Sequence, residues 1–264
     1  MNRDLIELGS QTAKNGFKNE KDIADKFNNW ETDKEAQTWL IIMQYKLEEI
    51  EYVKADVLHG YKADVNVKVQ IKLKTAIDTE NIQVKLVSNS RGFNQIDKRW
   101  LKNYNEMWKF PQNVYVALQH FTGELKPYIA KPRDKRRMFI DEMNEEDRNA
   151  ILKWFKDNKT LVVSDIIKGR GQFSAEWVLV AQKVDDNARW VLKNINEALQ
   201  HYSSGEVCMS PRGSICIGRI TMQRKGGDGG RITANMLQFK LDPTELFDEE
   251  NKWWRIKSLS LFIF

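Results

Sequence analysis

One stretch constrains the fold more than any other. Asp64 to Leu73 alternates strictly, with Val65, Val67, Val69, Ile71 and Leu73 set between Asp64, Asn66, Lys68, Gln70 and Lys72. A repeat of two belongs to a β-strand, so this segment buries one face in a core and keeps the other polar. Asn81–Ser88 reads as a second strand, close enough in sequence to be its neighbour.

Around these strands the period becomes helical. Helices are expected within Gly9–Phe27, over Glu31–Tyr45, Ile96–Trp108 and Glu145–Asn158, and over Ala188–His201 as one long amphipathic segment. Further strands are expected over Thr160–Asp165, Glu176–Gln182, Ser214–Gln223 and Asn235–Leu241. The order predicts an α/β chain of the α+β type, with a central mixed sheet flanked by helices. No repeat and no Pro/Gly-rich linker interrupts the 264 residues, so residues 1–264 read as a single domain. The apolar end, with Trp253, Trp254 and Ser258–Phe264, reads as an added strand or an oligomer contact.

Composition excludes several classes. Hydrophobic residues are 41% and charged residues 30%, which excludes disorder as the main state. No apolar run approaches the ~18 residues of a membrane span, and Met1–Lys18 lacks a signal-peptide core. Cys208 and Cys216 make neither a disulfide framework nor a zinc quartet, so the expected compartment is the reducing cytoplasm. The net charge of +5 matters mainly through its distribution. Lys85–Lys102 and Arg212–Arg231 are each rich in Lys and Arg, and Lys131–Arg137 reads KPRDKRR. Such clusters are either solvated faces or the footprint of a polyanion.

Asp64 with Gln83-Val84-Lys85 points to chemistry. Strand parity puts Gln83 and Lys85 on one face and turns Val84 away. If the two strands pair, an acid, an amide and an ammonium converge. Phosphodiester hydrolysis needs such a set: oxygen donors for a hard divalent cation, and a cation to orient water or offset developing charge. The short pattern is common, and Gln238-Phe-Lys240 is the best rival within the chain. Ser164-Asp165 with Glu176 has the spacing of a nuclease pair but carries Val178 where lysine belongs.

The set resembles the signature of the PD-(D/E)XK nuclease superfamily, with Ala63 in place of the frequent proline and Gln83 in place of the second acid. The stretch from Leu8 to about Phe247 resembles the HinP-type type II restriction endonucleases. The segments that carry this are Glu7–Lys14, Gly16–Asp25, Asn81–Ser88, Arg91–Lys98, Ala175–Lys183, Gln223–Asp228 and Thr233–Lys240. Residues 248–264 lie beyond it. The resemblance implies a restriction-endonuclease-like core and Mg²⁺-dependent cutting of double-stranded DNA at GCGC, as G/CGC with 5′ overhangs. It places Asp64, Gln83 and Lys85 on the catalytic acid, glutamine and lysine, with Asp64, Gln83 and the Val84 carbonyl holding the metal. It also implies a first-helix glutamate near the metal, for which Glu20 is the candidate; the other reading is a surface acid. A cognate DNA methyltransferase is the implied functional partner, and a homodimer is one arrangement for a palindromic site.

Guanine O6 and N7 are read best by Arg and Lys. Phe93, Asn94, Gln95 and Lys98 follow the catalytic strand, and Gln95 and Lys98 are spaced as on a helix. Phe93 reads either as a wedge between bases or as a core contact at a helix start. Arg224 and Lys225 open a glycine-rich loop that either approaches DNA or is an ordinary hairpin loop. Two other functions stay open on residues alone: a structure-selective or non-specific repair nuclease, and a DNA-binding protein whose catalytic site has decayed.

Overall fold

The structure is a computed structural model that describes residues 20–58, 66–74, 76–89, 92–171, 174–184, 187–227 and 231–247. The chain divides into two compact units. The first comprises residues 1–92, 168–198 and 242–264, and the second residues 93–167 and 199–241.

The first unit is built on a mixed sheet. Its strands are β1 (Ile50–Val57), β2 (Asn66–Leu73), β3 (Ile77–Val87), β5 (Trp177–Val184) and β6 (Asn187–Asn194), in the spatial order β1-β2-β3-β5-β6. Only β3 and β5 run parallel; the other neighbours are antiparallel. The alternation expected in β2 is realised, with Val67, Val69 and Ile71 fully buried. They meet Ile82 and Val84 of β3, Leu179 and Leu192, and the apolar stripes of two helices. These are α1, over residues 20–28, which gives Ile23, Ala24 and Phe27, and α2 (Lys34–Ile42), which gives Ala36, Trp39 and Leu40. The Asp33 side chain caps α2 by accepting from the backbone N–H groups of Glu35 and Ala36. Burial alone would raise the Asp33 carboxyl, but the Ala36 N–H and the Lys26 ammonium outweigh it and hold the group below its usual value.

β1 is an edge strand, and an edge invites pairing with another chain. Asn28 at the end of α1 blocks it. Its Nδ2 donates to the Ala55 carbonyl at 3.0 Å, and its Oδ1 accepts from the Ala55 N–H at 2.8 Å. Asn28→Ala is expected to destabilise the protein by about 1–2 kcal/mol through two lost hydrogen bonds. It should also promote self-association through β1. A thermal melt and a concentration series by light scattering check both effects.

The second unit holds an antiparallel sheet of β4 (Asn94–Arg99), β7 (Val207–Met209), β8 (Ile215–Ile217), β9 (Ile220–Arg224) and β10 (Leu237–Leu241), in the order β4-β10-β9-β8-β7. Its helices are α3 (Leu101–Trp108), α4 (Gln112–Thr122), α5 (Glu145–Asp157) and α6 (Lys159–Ile167). An aromatic core joins them: Trp108 stacks on Tyr104 at 4.9 Å and meets Phe239 of β10 edge-on at 5.8 Å. The expected α+β class, with a mixed sheet and flanking helices, is what the structure shows.

Four expected elements differ, the first being Ser214–Gln223, which is not one strand but the hairpin of β8 and β9, turned at Gly218 with φ of 60°. Ile96–Trp108 is not one helix: β4 occupies its start, Trp100 is extended, and only α3 is helical. The reason is tertiary, because β10 offers β4 a paired register from Leu237↔Arg99 to Leu241↔Asn94. Ala188–His201 likewise begins as β6, which pairs along all of β5, and turns helical only in α7 (Ile195–Ser203). Thr160–Asp165 is helical, within α6, although it carries Val162 and Val163. Ile166 and Ile167 complete the i,i+4 pairs with these valines, and the buried Asp165 carboxylate accepts from the Trp108 indole at 2.7 Å. The composition of β1 and α4 drew no expectation at all.

Candidate active site and nucleic-acid interface

Gln83 and Lys85 stand on β3, the central strand of the first sheet, and both are buried, at 5% and 8% exposure. Val84 between them belongs to the apolar cluster on the opposite face. Gln83 is flanked by Asn66 of β2 and Val178 of β5, and Lys85 has Val180 beside it. Asp64 lies outside the described residues; it precedes Asn66, the partner of Gln83, by two positions in the chain.

An ammonium at 8% exposure is costly unless anionic or hydrogen-bonding groups meet it. A lysine held inside a sheet is unusual on stability grounds alone, since Val, Ile or Leu would fill the place at lower cost. Gln83 and Lys85 therefore form a buried polar pair on one face of β3, and such pairs concentrate at functional sites.

Parallel pairing of β3 with β5 is clamped where it begins by Asn81 and Glu176. The Glu176 carboxylate accepts from the Asn81 N–H at 2.6 Å, the Glu176 N–H donates to the Asn81 carbonyl at 2.9 Å, and Asn81 Nδ2 donates to the Ser174 carbonyl at 3.2 Å. This fixes the parallel register just before Gln83. No local signal reveals it, because the partners are separated by about a third of the chain. Glu176 is thus engaged in the ladder, and Asp165 holds the Trp108 indole, so that spaced pair of acids serves packing.

Glu20 opens the described part of α1 and is also buried, at 9% exposure, which rules out the surface acid. It continues the stripe of Ile23, Ala24 and Phe27. That stripe packs with Ile82 and Val84, whereas Gln83 and Lys85 belong to the alternate face.

The second unit carries the remaining candidates. Phe93 is 60% exposed, so it is not the core contact of a helix start. Asn94, Gln95 and Lys98 lie on β4, so the helical spacing of Gln95 and Lys98 is replaced by a strand register. Gln95 is opposite Lys240, and Lys98 is opposite Gln238, whose other neighbour is Gln223 of β9. A polar row thus crosses three strands. Gln238-Phe-Lys240, the rival to the β3 motif, is the middle of that row.

Arg224 is held inside the unit, at 8% exposure. Its Nε donates to the Thr122 carbonyl at 2.8 Å and its Nη2 to Asn235 Oδ1 at 2.6 Å, while Asn235 Nδ2 donates to the Gly123 carbonyl. Burial, and then the neighbouring Arg136, push its guanidinium below the usual value. Lys225 is only half-buried, and its N–H donates to the Met236 carbonyl. Gly226 and Gly227 follow with φ of 64° and 58°, a conformation that glycine adopts without strain. In the basic segment Lys131–Arg137, Arg136 pairs with Asp134 at 2.9 Å, Arg133 with Asp141, and Arg137 lies over the Phe139 ring.

Among the described residues no group of three His, Cys, Asp or Glu side chains is placed to hold a metal. Nor is any helix among them long and apolar enough to cross a membrane. Comparison with curated proteins gave no match. A family model described as R.HinP1I restriction endonuclease matches residues 43–247, which include β3 and the whole sheet of the second unit. The chain therefore belongs to the R.HinP1I restriction endonuclease family and is a type II enzyme that cleaves DNA at specific sites.

Proposed function

We propose that this endonuclease hydrolyses double-stranded DNA at GCGC, cutting G/CGC to leave 5′ overhangs, with Mg²⁺ as the metal. The observation that carries the site assignment is the burial of Gln83 and Lys85 on one face of β3, beside the start of β2. Asp64, Gln83 and the Val84 carbonyl would hold the metal. Restriction endonucleases of this kind generally use a divalent cation, and an all-oxygen donor set with one carboxylate suits a hard ion. When bound, Mg²⁺ supplies Lewis acidity toward the phosphoryl oxygen. Lys85 holds the attacking water or the scissile phosphate and offsets charge that develops there. Glu20 is a further catalytic candidate through its burial alone, since its helix stripe packs on the face of β3 opposite Gln83 and Lys85.

Phe93, Asn94, Gln95, Lys98 and Lys225 are the residues proposed to meet DNA directly. Phe93 has the exposure a base wedge requires, and Gln95 and Lys98 bring amide and ammonium donors on a rigid strand. Arg224 supports the same loop through Thr122 and Asn235. The enzyme acts in the cytoplasm beside a cognate methyltransferase that protects host DNA, and a homodimer would match the two-fold symmetry of its site. The test is digestion of fully sequenced DNA in Mg²⁺ followed by run-off sequencing of the ends. Cuts confined to G/CGC are expected; cuts at another fixed sequence would retain the enzyme class and refute the specificity.

Gln83 also gives a prediction about the metal. Replacing the amide by a carboxylate adds one ligand charge, which tightens binding of a divalent cation. Gln83→Glu is expected to bind Ca²⁺, as a non-catalytic probe, on the order of 10-fold more tightly, read by calorimetry. Unchanged affinity would remove Gln83 from the ligand set.

A further inference from the structure

The second unit contains a pair of nucleophilic side chains that DNA cleavage does not use. Cys208 on β7 and Cys216 on β8 are direct partners in the antiparallel register, between Val207↔Ile217 and Met209↔Ile215. The ladder on either side fixes which kind of pair they form. The Ser210 N–H donates to the Ser214 carbonyl, and the Gly218 N–H donates to the Glu206 carbonyl. Hydrogen-bonded pairs recur every second position, so Cys208 and Cys216 form one too, with Cα atoms about 5.5 Å apart. That separation falls in the range a disulfide spans without backbone movement. As direct cross-strand partners, the two side chains project from the same face of the sheet.

The environments of the sulfurs differ. Cys208 is exposed and lies on β7, the edge strand of the sheet. Cys216 is half-buried, with Thr221 of β9 on its other side. Burial, and then the adjoining Cys208, push the Cys216 thiol up. The hairpin between them is held firmly, since Gly213 donates to the Ser210 carbonyl and accepts from the Ile140 N–H.

We propose that Cys208 and Cys216 form a reversible dithiol–disulfide site, closed by thiol exchange with a low-molecular-weight organic disulfide. The Cys208 thiolate attacks one sulfur of that disulfide, forming a mixed disulfide and expelling one thiolate, which takes up the proton Cys208 gave to solvent. The Cys216 thiolate then attacks the Cys208 sulfur and expels the second thiolate, which is protonated in turn. The two cysteines are oxidised by two electrons, and the small disulfide is reduced to two thiols. The product ties the edge strand β7 covalently to β8. A dithiol of the same small class, in excess, reverses it.

The test treats the folded, reduced enzyme with glutathione disulfide and follows intact mass and peptide maps. The wild type is expected to lose both thiols together, with a Cys208–Cys216 cross-linked peptide, no persistent glutathione adduct, and full recovery in dithiothreitol. Cys216→Ser is expected to stop at a glutathione adduct on Cys208, because the resolving thiol is gone. Cys208→Ser should react far more slowly than either, since only the half-buried thiol remains. Persistent glutathione on Cys208 of the wild type, at the level seen in Cys216→Ser, would overturn the proposal. So would a disulfide joining two molecules in place of the intrachain link.

Discussion

Lys85→Ala is expected to abolish plasmid cleavage on any ordinary assay while leaving specific DNA binding in place. The ammonium is buried on the same face of β3 as Gln83, so its removal takes away a charge placed to act on water or phosphate in a site of low dielectric. Loss of one positioned acid–base or electrostatic group costs about 10²–10⁴-fold in rate. Single-turnover cleavage in Mg²⁺ measures that loss, and gel shifts in Ca²⁺ measure binding apart from it. The fold should survive, because alanine in place of a buried lysine removes a desolvated charge rather than an apolar contact. The matching variant is Lys240→Ala, at the rival motif on β10. Lys240 lies in the polar row of the second unit, so its loss should weaken binding and spare the rate of the bound complex. If Lys240→Ala rather than Lys85→Ala stops turnover, the catalytic strand has been assigned to the wrong sheet.

The strand proposed to carry this chemistry is legible because its pattern is local. β2 alternates over its whole length, and the parity of Gln83, Val84 and Lys85 follows from being a strand. Burial of Val67, Val69 and Ile71 then turns the opposite face to other use. What the sequence concealed depends on partners far along the chain. Asn94–Arg99 contains Ile, Asp, Lys and Arg in an order that suits a helix as well as a strand, and β10 decides between them. Ala188–Asn194 becomes a strand because β5 precedes it as a hairpin partner. In α6 the β-branched residues argue for a strand, and the helical i,i+4 pairing emerges only when Ile166 and Ile167 are included. The proposed recognition residues show the same limit. The chemistry of Gln95 and Lys98 is legible in the sequence, but their arrangement is a cross-strand pairing with Lys240 and Gln238, not one face of a helix.

Arg224→Ala is expected to act on stability, whereas Lys225→Ala acts on DNA binding, although the two are adjacent and both basic. The Arg224 guanidinium bridges the Thr122 carbonyl at the end of α4 and the Asn235 side chain, which itself holds the Gly123 carbonyl. Truncation removes two charge-assisted donors and leaves buried acceptors without them, at a cost of about 2–4 kcal/mol. For a chain of this size that lowers Tm by roughly 10 °C. Asn235→Ala should reproduce most of that loss, and the double variant should fall well short of the sum, because both act through one network. Lys225→Ala should leave Tm nearly unchanged. It should weaken DNA binding and reduce the slope of log affinity against log salt by about one released counterion. Melting curves and salt titrations on the four variants separate the roles. If Arg224→Ala keeps its Tm but loses discrimination between GCGC and a single-base variant, Arg224 leaves Thr122 and Asn235 to read a base. The loop it now anchors would then rearrange on DNA.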